Sequence, residues 1–335
     1  MKEGKIVKIL FISPSFKPFI EKDYEILTKK FLVQSVIYNH AHTRTLLLLI
    51  PRIFAGTLWA DITYSWFGSF HAFFAVLFSK LFHKKSIVVA GGYDVAKMTE
   101  IGYGLMNMRL WRLFPMFSFK NCDKILAVSE HTRREMKKNM DVDDRKVLVV
   151  RHGFDKNKFF PRNGKENIVV TVAEANPHTL VIKGLTNFVK TANLLPNTKF
   201  YLIGKGEKES ISGLRQINQH NLIYKGFVPH KELATIMQRA KVYVQISAHE
   251  SFGCSLAEAM LCECIPVVTA CGAIPEVVGN TGYYIPYGDI EAIAETIKRA
   301  LKDGEAKGEK ARERIEEEFP IEKREKRLTE VVMWL

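Results

Sequence analysis

The chain has 335 residues, 47% of them hydrophobic and 25% charged, with a net charge of +13. That length suits two domains, and the balance excludes disorder, collagen and coiled coil. Five cysteines, an odd number in so long a chain, do not make a disulfide framework and point to a reducing compartment. The charge is uneven: residues 1–151 carry 24 Lys+Arg against 13 Asp+Glu, and residues 152–335 carry 25 against 23. The first half therefore suits an anionic partner or membrane surface, or else a solvated basic face, and the second something local and small.

The start, Met1-Lys2-Glu3-Gly4-Lys5, leads into a short apolar run without a cleavage site, so no secretory signal is expected. Short apolar runs then alternate with helical patterns. The first series of strands is Val7–Ile12, Leu32–Tyr38, Ile62–Trp66, Ser86–Ala90, Lys124–Val128 and Val147–Val150. Ile62 to Ser79 has no formal charge and approaches the length of a membrane span. Its first residues alternate as a strand does, and from Phe70 the pattern is that of a buried helix closed by Lys80, so strand plus helix is the better reading. Gly153 to Asn167 reads as the join. A second series follows: Ile168–Ala173, Lys199–Ile203, Leu222–Tyr224, Val242–Ile246, Ile265–Val268 and Gly282–Ile285. Ile290, Ile293, Ala294, Ile297 and Leu301 make a helical stripe, and after Pro320 another stripe of Ile321, Leu328, Val332 and Leu335 should dock on something. Strands alternating with helices imply two parallel sheets, each covered on both faces, with ligands in the crevice at the carboxyl ends of the strands.

The segment from His249 to Met260 carries most of the chemistry. It follows a strand and turns through Gly253 into a helix, whose N-terminus is a natural seat for phosphate. Glu250 stands before the turn and Glu258 one turn into the helix, where two carboxylates could hold hydroxyls on either side of a diphosphate. Ser255-Leu256-Ala257-Glu258 reads equally as a capping box. Cys262-Glu263-Cys264, with Cys254 and Cys271 nearby, reads as buried thiols rather than a zinc site, for the spacing is wrong. No nucleic-acid module stands out. Arg109-Leu110-Trp111-Arg112-Leu113-Phe114 and Arg133-Arg134-Glu135-Met136-Lys137-Lys138 are candidates for an anionic membrane surface, or else core aromatics beside a solvated face.

Glu250 and Glu258 with seven residues between them, Phe252-Gly253 among these, and Glu258-Ala259-Met260 at the end, resemble the signature of the retaining family 4 (group 1) glycosyltransferases. Ile182-Lys183-Gly184-Leu185, Ile203-Gly204-Lys205-Gly206, Tyr224-Lys225-Gly226-Phe227-Val228, Cys264–Val268, Gly272–Val278 and Gly282–Asp289 extend the likeness. It runs over roughly residues 85–300 and is densest over 182–289.

The resemblance implies α/β, GT-B architecture: two facing Rossmann-like domains with a C-terminal helix returning to the first. The expected boundaries are 1–160 for the acceptor-side domain, 161–318 for the donor-binding domain and 319–335 for the returning helix. It implies transfer of a sugar from a nucleoside-diphosphate sugar to an acceptor hydroxyl, with retention, no metal and no further cofactor. By the same likeness Glu258 would bind the ribose, Glu250 the donor sugar, and Lys183 the diphosphate. Backbone groups of Phe252, Gly253, Cys254, Ser255 and Leu256 would contact sugar and phosphate, and Gly204, Phe227 and Val228 would line the base pocket. Gly92 would touch the donor and Asp94 would serve in catalysis.

Three positions depart from the family pattern. Gly91 replaces the usual His before Gly92, Ala173-Glu174 replaces a Gly-Arg, and Ser13–Pro18 replaces a glycine-rich loop. Glu174 would have to turn away from the phosphates or pair with a cation, Lys183 being a candidate. Expected partners are the nucleotide sugar, a glycan or lipid-linked acceptor and an anionic membrane surface, with the enzyme cytoplasmic and peripheral at the inner face. A non-catalytic nucleotide-sugar-binding subunit, an epimerase and a phosphorylase on the same fold stay open.

Overall fold

The computed structural model describes residues 6–38, 43–218 and 220–335. The chain divides into two compact units: residues up to His152 together with Glu322–Leu335, and Gly153–Ile321. Residues 153–160 thus belong to the second unit, not the first as the sequence suggested. Phe154 and Phe159 lie in that unit's core, and Phe154 exchanges backbone hydrogen bonds with Phe319 and Ile321 (2.9 and 3.1 Å).

The first unit holds strands β1 (Lys8–Ser13), β2 (Leu32–Ile37), β3 (Ile62–Trp66), β4 (Lys85–Ala90), β5 (Lys124–Ala127) and β6 (Val147–Val149). They form one parallel sheet in the order β2-β1-β3-β4-β5-β6. Between them run α1 (Pro18–Thr28), α2 (Thr43–Trp59), α3 (Phe70–Leu81), α4 (Leu113–Asn121) and α5 (Glu130–Asn139). Every side chain of β3 is buried, as a central strand covered on both faces requires. The stretch once comparable to a membrane span is β3 followed by α3. Among the described residues no helix is long and apolar enough to cross a membrane.

The second unit repeats the plan with β7 (Glu166–Val172), β8 (Lys199–Ile203), β9 (Leu222–Gly226), β10 (Ala240–Gln245), β11 (Ile265–Thr269) and β12 (Tyr283–Ile285). Its sheet is parallel in the order β12-β11-β10-β7-β8-β9. The helices are α6 (Pro177–Ile182), α7 (Leu185–Asn193), α8 (Lys208–Ile217), α9 (His230–Arg239), α10 (Cys254–Leu261), α11 (Ile274–Val278), α12 (Ile290–Lys302) and α13 (Ala306–Glu318). From β7 the chain builds outward to β8 and β9, then returns to β10 on the other side. The switch point, where such sheets bind ligands, is therefore the β7–β10 neighbourhood.

The last helix, α14 (Ile321–Met333), packs on the first unit through Leu328, Val331, Val332 and a buried arginine, Arg324. The Arg324 guanidinium grips the fully buried Asp23 with two hydrogen bonds (2.6 and 2.7 Å) and donates to the carbonyls of Val150 and Arg151. Tyr64 Oη and Trp66 Nε1 also donate to Asp23 (2.8 and 3.1 Å). A buried charge is tolerated when paired and hydrogen-bonded in this way.

Candidate functional site

At the switch point of the second unit, β10 runs out into Ile246–Ser251 and turns through Phe252 and Gly253 into α10. Gly253 is the N-cap at φ +98°, a conformation L side chains avoid, and supplies no side chain to cap the first turn. The helix starts at Cys254, so Ser255 is not a cap and the capping-box reading of Ser255–Glu258 fails. The positive end of the α10 dipole faces the carboxyl edge of the sheet.

Glu250 is fixed on every side. Lys183 Nζ, at the end of α6, lies 2.5 Å from its Oε2, and Gln245 Nε2 donates to the same oxygen at 2.5 Å. The N–H of Ser251 donates to Oε1 at 3.1 Å, and the Glu250 carbonyl accepts from Ala273 at 2.8 Å. Gly272 makes that last contact feasible: at φ +60°, any Cβ would stand 2.1 Å from the Glu250 carbonyl oxygen. The expected pairing of Lys183 with Glu174 does not occur. Ala248 N–H bonds to Ile182 O at 2.7 Å, which draws the Glu250 loop onto the end of α6 and sets Glu250 against Lys183. Glu174 is exposed, and its carbonyl accepts from Thr179 Oγ1.

Glu258 is buried on α10, with its Oε1 3.6 Å from Nε2 of His230, the first residue of α9. His230 stands edge-on to Phe159 at 5.3 Å. Gly204 closes β8, donating to Gly226 O (2.8 Å) and accepting from Tyr224 Oη (3.0 Å). Phe227, just past β9, is exposed with Lys205 Nζ 5.3 Å from its ring centre, and Val228 is half-buried against the core. The loops after β10, β7, β8 and β9 are thus neighbours along one edge. Phe252 and Leu256 point into the core, where Phe252 meets Phe154 and Phe319, so only their backbones are available to a ligand. Cys254 and Ser255 are half-buried. Cys262 and Cys264 are buried thiols whose pKa values burial raises, Cys264 donating to Met237 O and Ala240 O.

Sequence reasoning passed over Gln245 and His230. Gln245 had a signal, a polar side chain inside the otherwise apolar run Val242–Ile246; His230 had none short of the fold.

In the first unit, Asp94 is 1% exposed and accepts from the N–H groups of Gly68 (2.8 Å) and Gly92 (2.9 Å). Burial lifts its pKa from 3.8 to about 6, the backbone donors opposing that rise. The carboxylate fastens the loop after β3 to the loop after β4. Gly92 is buried at φ +116°.

Residues 154–319 match the family described as Glycosyl transferases group 1, nearly the whole second unit. The N-acetyl-alpha-D-glucosaminyl L-malate synthase of Bacillus anthracis is 28% identical over 223 residues, covering 62% of this chain and 58% of that protein, so the match spans less than two thirds of the curated relative. Sucrose-phosphate synthase from Thermosynechococcus elongatus has the same fold, with a TM-score of 0.81 at 15% identity over 98% of both chains. Anabaena HepE in complex with UDP and glucose superposes with a TM-score of 0.79 at 16% identity, over 98% of this chain and all of that one. Two parallel six-stranded α/β units of this kind constitute the GT-B class, and residues 154–319 place the second unit among the group 1 glycosyltransferases.

Proposed function

We propose that the protein moves a sugar from a nucleoside-diphosphate sugar to an acceptor hydroxyl with retention of configuration, and that it needs neither metal nor cofactor. The observation that carries this reading is the pair of carboxylates at the start of α10, Glu250 and Glu258, with the Lys183 ammonium within 2.5 Å of Glu250. Departure of a nucleoside diphosphate leaves negative charge on its phosphates. An ammonium and a helix N-terminus, already in place before the reaction, stabilise that charge more strongly in a dry site than in water. Glu258, buried and facing His230, is set to accept from the vicinal hydroxyls of the ribose. Glu250 accepts from the donor sugar's hydroxyls, and Gly204, Phe227 and Val228 border the base. HepE's complex with UDP and glucose, in a protein of the same fold, supports a uridine donor. The basic first unit supports a lipid-linked or anionic acceptor and a place at the cytoplasmic membrane face. Asp94 acts here only by holding the Gly92 loop.

Two variants test this. Glu258→Ala should weaken UDP binding in calorimetry, while Glu250→Ala should keep UDP affinity and lose turnover. A Glu258→Ala protein that only melts earlier would return Glu258 to a structural part. Binding without turnover by the wild type, across donors and acceptors, would make the chain a non-catalytic binding subunit. Activity should persist in a chelator; loss restored by magnesium would remove the metal-free reading.

A further inference from the structure

The crossovers β2–α2–β3, β3–α3–β4 and β4–α4–β5 all advance in one direction across the sheet, so the right-handed rule puts α2, α3 and α4 on one face of the first unit. The seams between them are filled with phenylalanine rings: Phe54 on Phe78 (5.3 Å), Phe70 on Phe114 (5.3 Å) and Phe73 on Phe117 (4.5 Å). With the seams closed, Leu58, Leu77, Leu81, Leu110, Trp111 and Leu113 are left exposed, Leu110 at 73% and Leu81 at 63%. Surface leucines occurring singly are ordinary, but a run of them over three adjoining helices is not.

The charges on α2, α3 and α4 have one sign. Residues 43–59, 70–81 and 105–121 contain no Asp or Glu. Arg52, Lys80, Arg109 and Arg112 are exposed, and among the described residues none of the four pairs with a carboxylate. The other basic helix, α5, differs. Arg133 and Lys137 both bind Asp144 (2.7 Å each), so its charge is partly neutralised at home.

We propose that the outward face of α2, α3 and α4, with the Met108–Arg112 segment leading into α4, docks on an anionic lipid bilayer. A second copy of the chain is a poor occupant: a two-fold interface would set this basic face against itself, arginine to arginine. Leucine and tryptophan side chains that enter the acyl boundary, beside arginines whose heads stay at the phosphates, match an interfacial surface in both respects. The inference extends the acceptor half of the proposed function but does not depend on the donor chemistry, because vesicle binding is read without nucleotide.

The test is sedimentation of the full chain with vesicles of phosphatidylcholine alone or mixed with phosphatidylglycerol. Binding should appear with the anionic vesicles and fall as salt is raised. Arg109→Gln with Arg112→Gln should weaken it by about fivefold for each arginine, and Leu110→Ser with Trp111→Ser by on the order of tenfold or more. UDP affinity and melting temperature should stay at wild-type values, so a misfolded variant is recognised. Trp111→Phe, a conservative change, should keep binding while losing most of the blue shift in tryptophan fluorescence. Equal binding to neutral and anionic vesicles, binding to neither, or wild-type binding by both double variants would overturn the proposal. So would a concentration-dependent dimer abolished by Leu110→Ser with Trp111→Ser, which would give the face to a second copy. Loss of UDP binding with vesicle binding intact would overturn the donor reading alone.

Discussion

In the second unit, the charged groups of the carboxyl edge stand within reach of a ligand: Lys183 is 30% exposed and Glu250 13%. In the first unit, the corresponding polar groups are sealed in. Asp23 is fully buried under Arg324, Tyr64 and Trp66, and Asp94 is closed between two loops. His71 is buried as well. Its Nε2 donates to Trp66 O (2.7 Å), and its Nδ1 lies within hydrogen-bond distance of Tyr38 Oη (2.7 Å) and Ser69 Oγ (2.9 Å). Net charge divides the same way: the second unit has 21 Lys+Arg against 20 Asp+Glu, the first 28 against 16. The same sheet plan thus serves two ends. One unit keeps a pair of opposite charges partly open to solvent at its sheet edge; the other uses buried charge to fix its loops and keeps its excess of cations on the surface.

That contrast can be broken at four points, from the largest expected effect to the smallest. Arg324→Ala leaves Asp23 charged and alone in the first unit's interior, and should cost about 3–5 kcal/mol in urea unfolding. A loss under about 1 kcal/mol would show that water reaches Asp23 and that the clamp is superficial. Lys183→Ala should instead spare the fold and weaken nucleoside-diphosphate binding by about 2–5 kcal/mol, with Lys183→Arg rescuing only part, since the fork places its donors differently. Unchanged affinity by calorimetry would move the diphosphate away from α10.

The third point is a pH effect. Asp94 has its folded pKa raised from 3.8 to about 6 by burial, so between those values the folded state holds the proton more tightly than the unfolded chain. Its protonated form contributes stability below about pH 4 that is lost as pH rises through about 6. The full difference is at most about 3 kcal/mol. Melting curves of Asp94→Asn should therefore lack a decline with rising pH that the wild type shows in this window; parallel curves would mean that Asp94 is solvated. The smallest effect belongs to Gln245→Leu. Removing one donor to Glu250 should raise the donor KM and alter stability by only about 1 kcal/mol, and an unchanged KM would make Gln245 a packing residue.

Much of this was legible in the chain. Twelve strand segments read as buried apolar runs are strands in the structure, with ends differing by no more than two residues, because parallel strands covered on both faces leave nearly continuous apolar stretches. The Glu250–Glu258 spacing and Lys183-Gly184 also pointed to residues that the structure gathers at the carboxyl edge of the second sheet, where Lys183 meets Glu250. What escaped was pairing over distance. The stripe of α14 was read from Ile321, Leu328, Val332 and Leu335, whereas the buried set is Arg324, Leu328, Val331 and Val332. An arginine enters a core stripe only if a carboxylate waits there, and Asp23 lies 301 residues away. Likewise, the contacts that set Glu250 against Lys183, among them the backbone bond from Ala248 to Ile182, are ones that no local pattern announces.

The Asp23–Arg324 clamp also orders events at the ribosome. Every residue of the second unit has been synthesised before Arg324 emerges, whereas the first unit, begun earlier, must wait for it. At about 5–20 residues per second, the 175 residues from the end of β6 to Arg324 make that wait roughly 9–35 s. The N-terminal sheet spends that interval with an acidic side chain at its heart and no counter-ion, so the half of the protein made first is the half completed last.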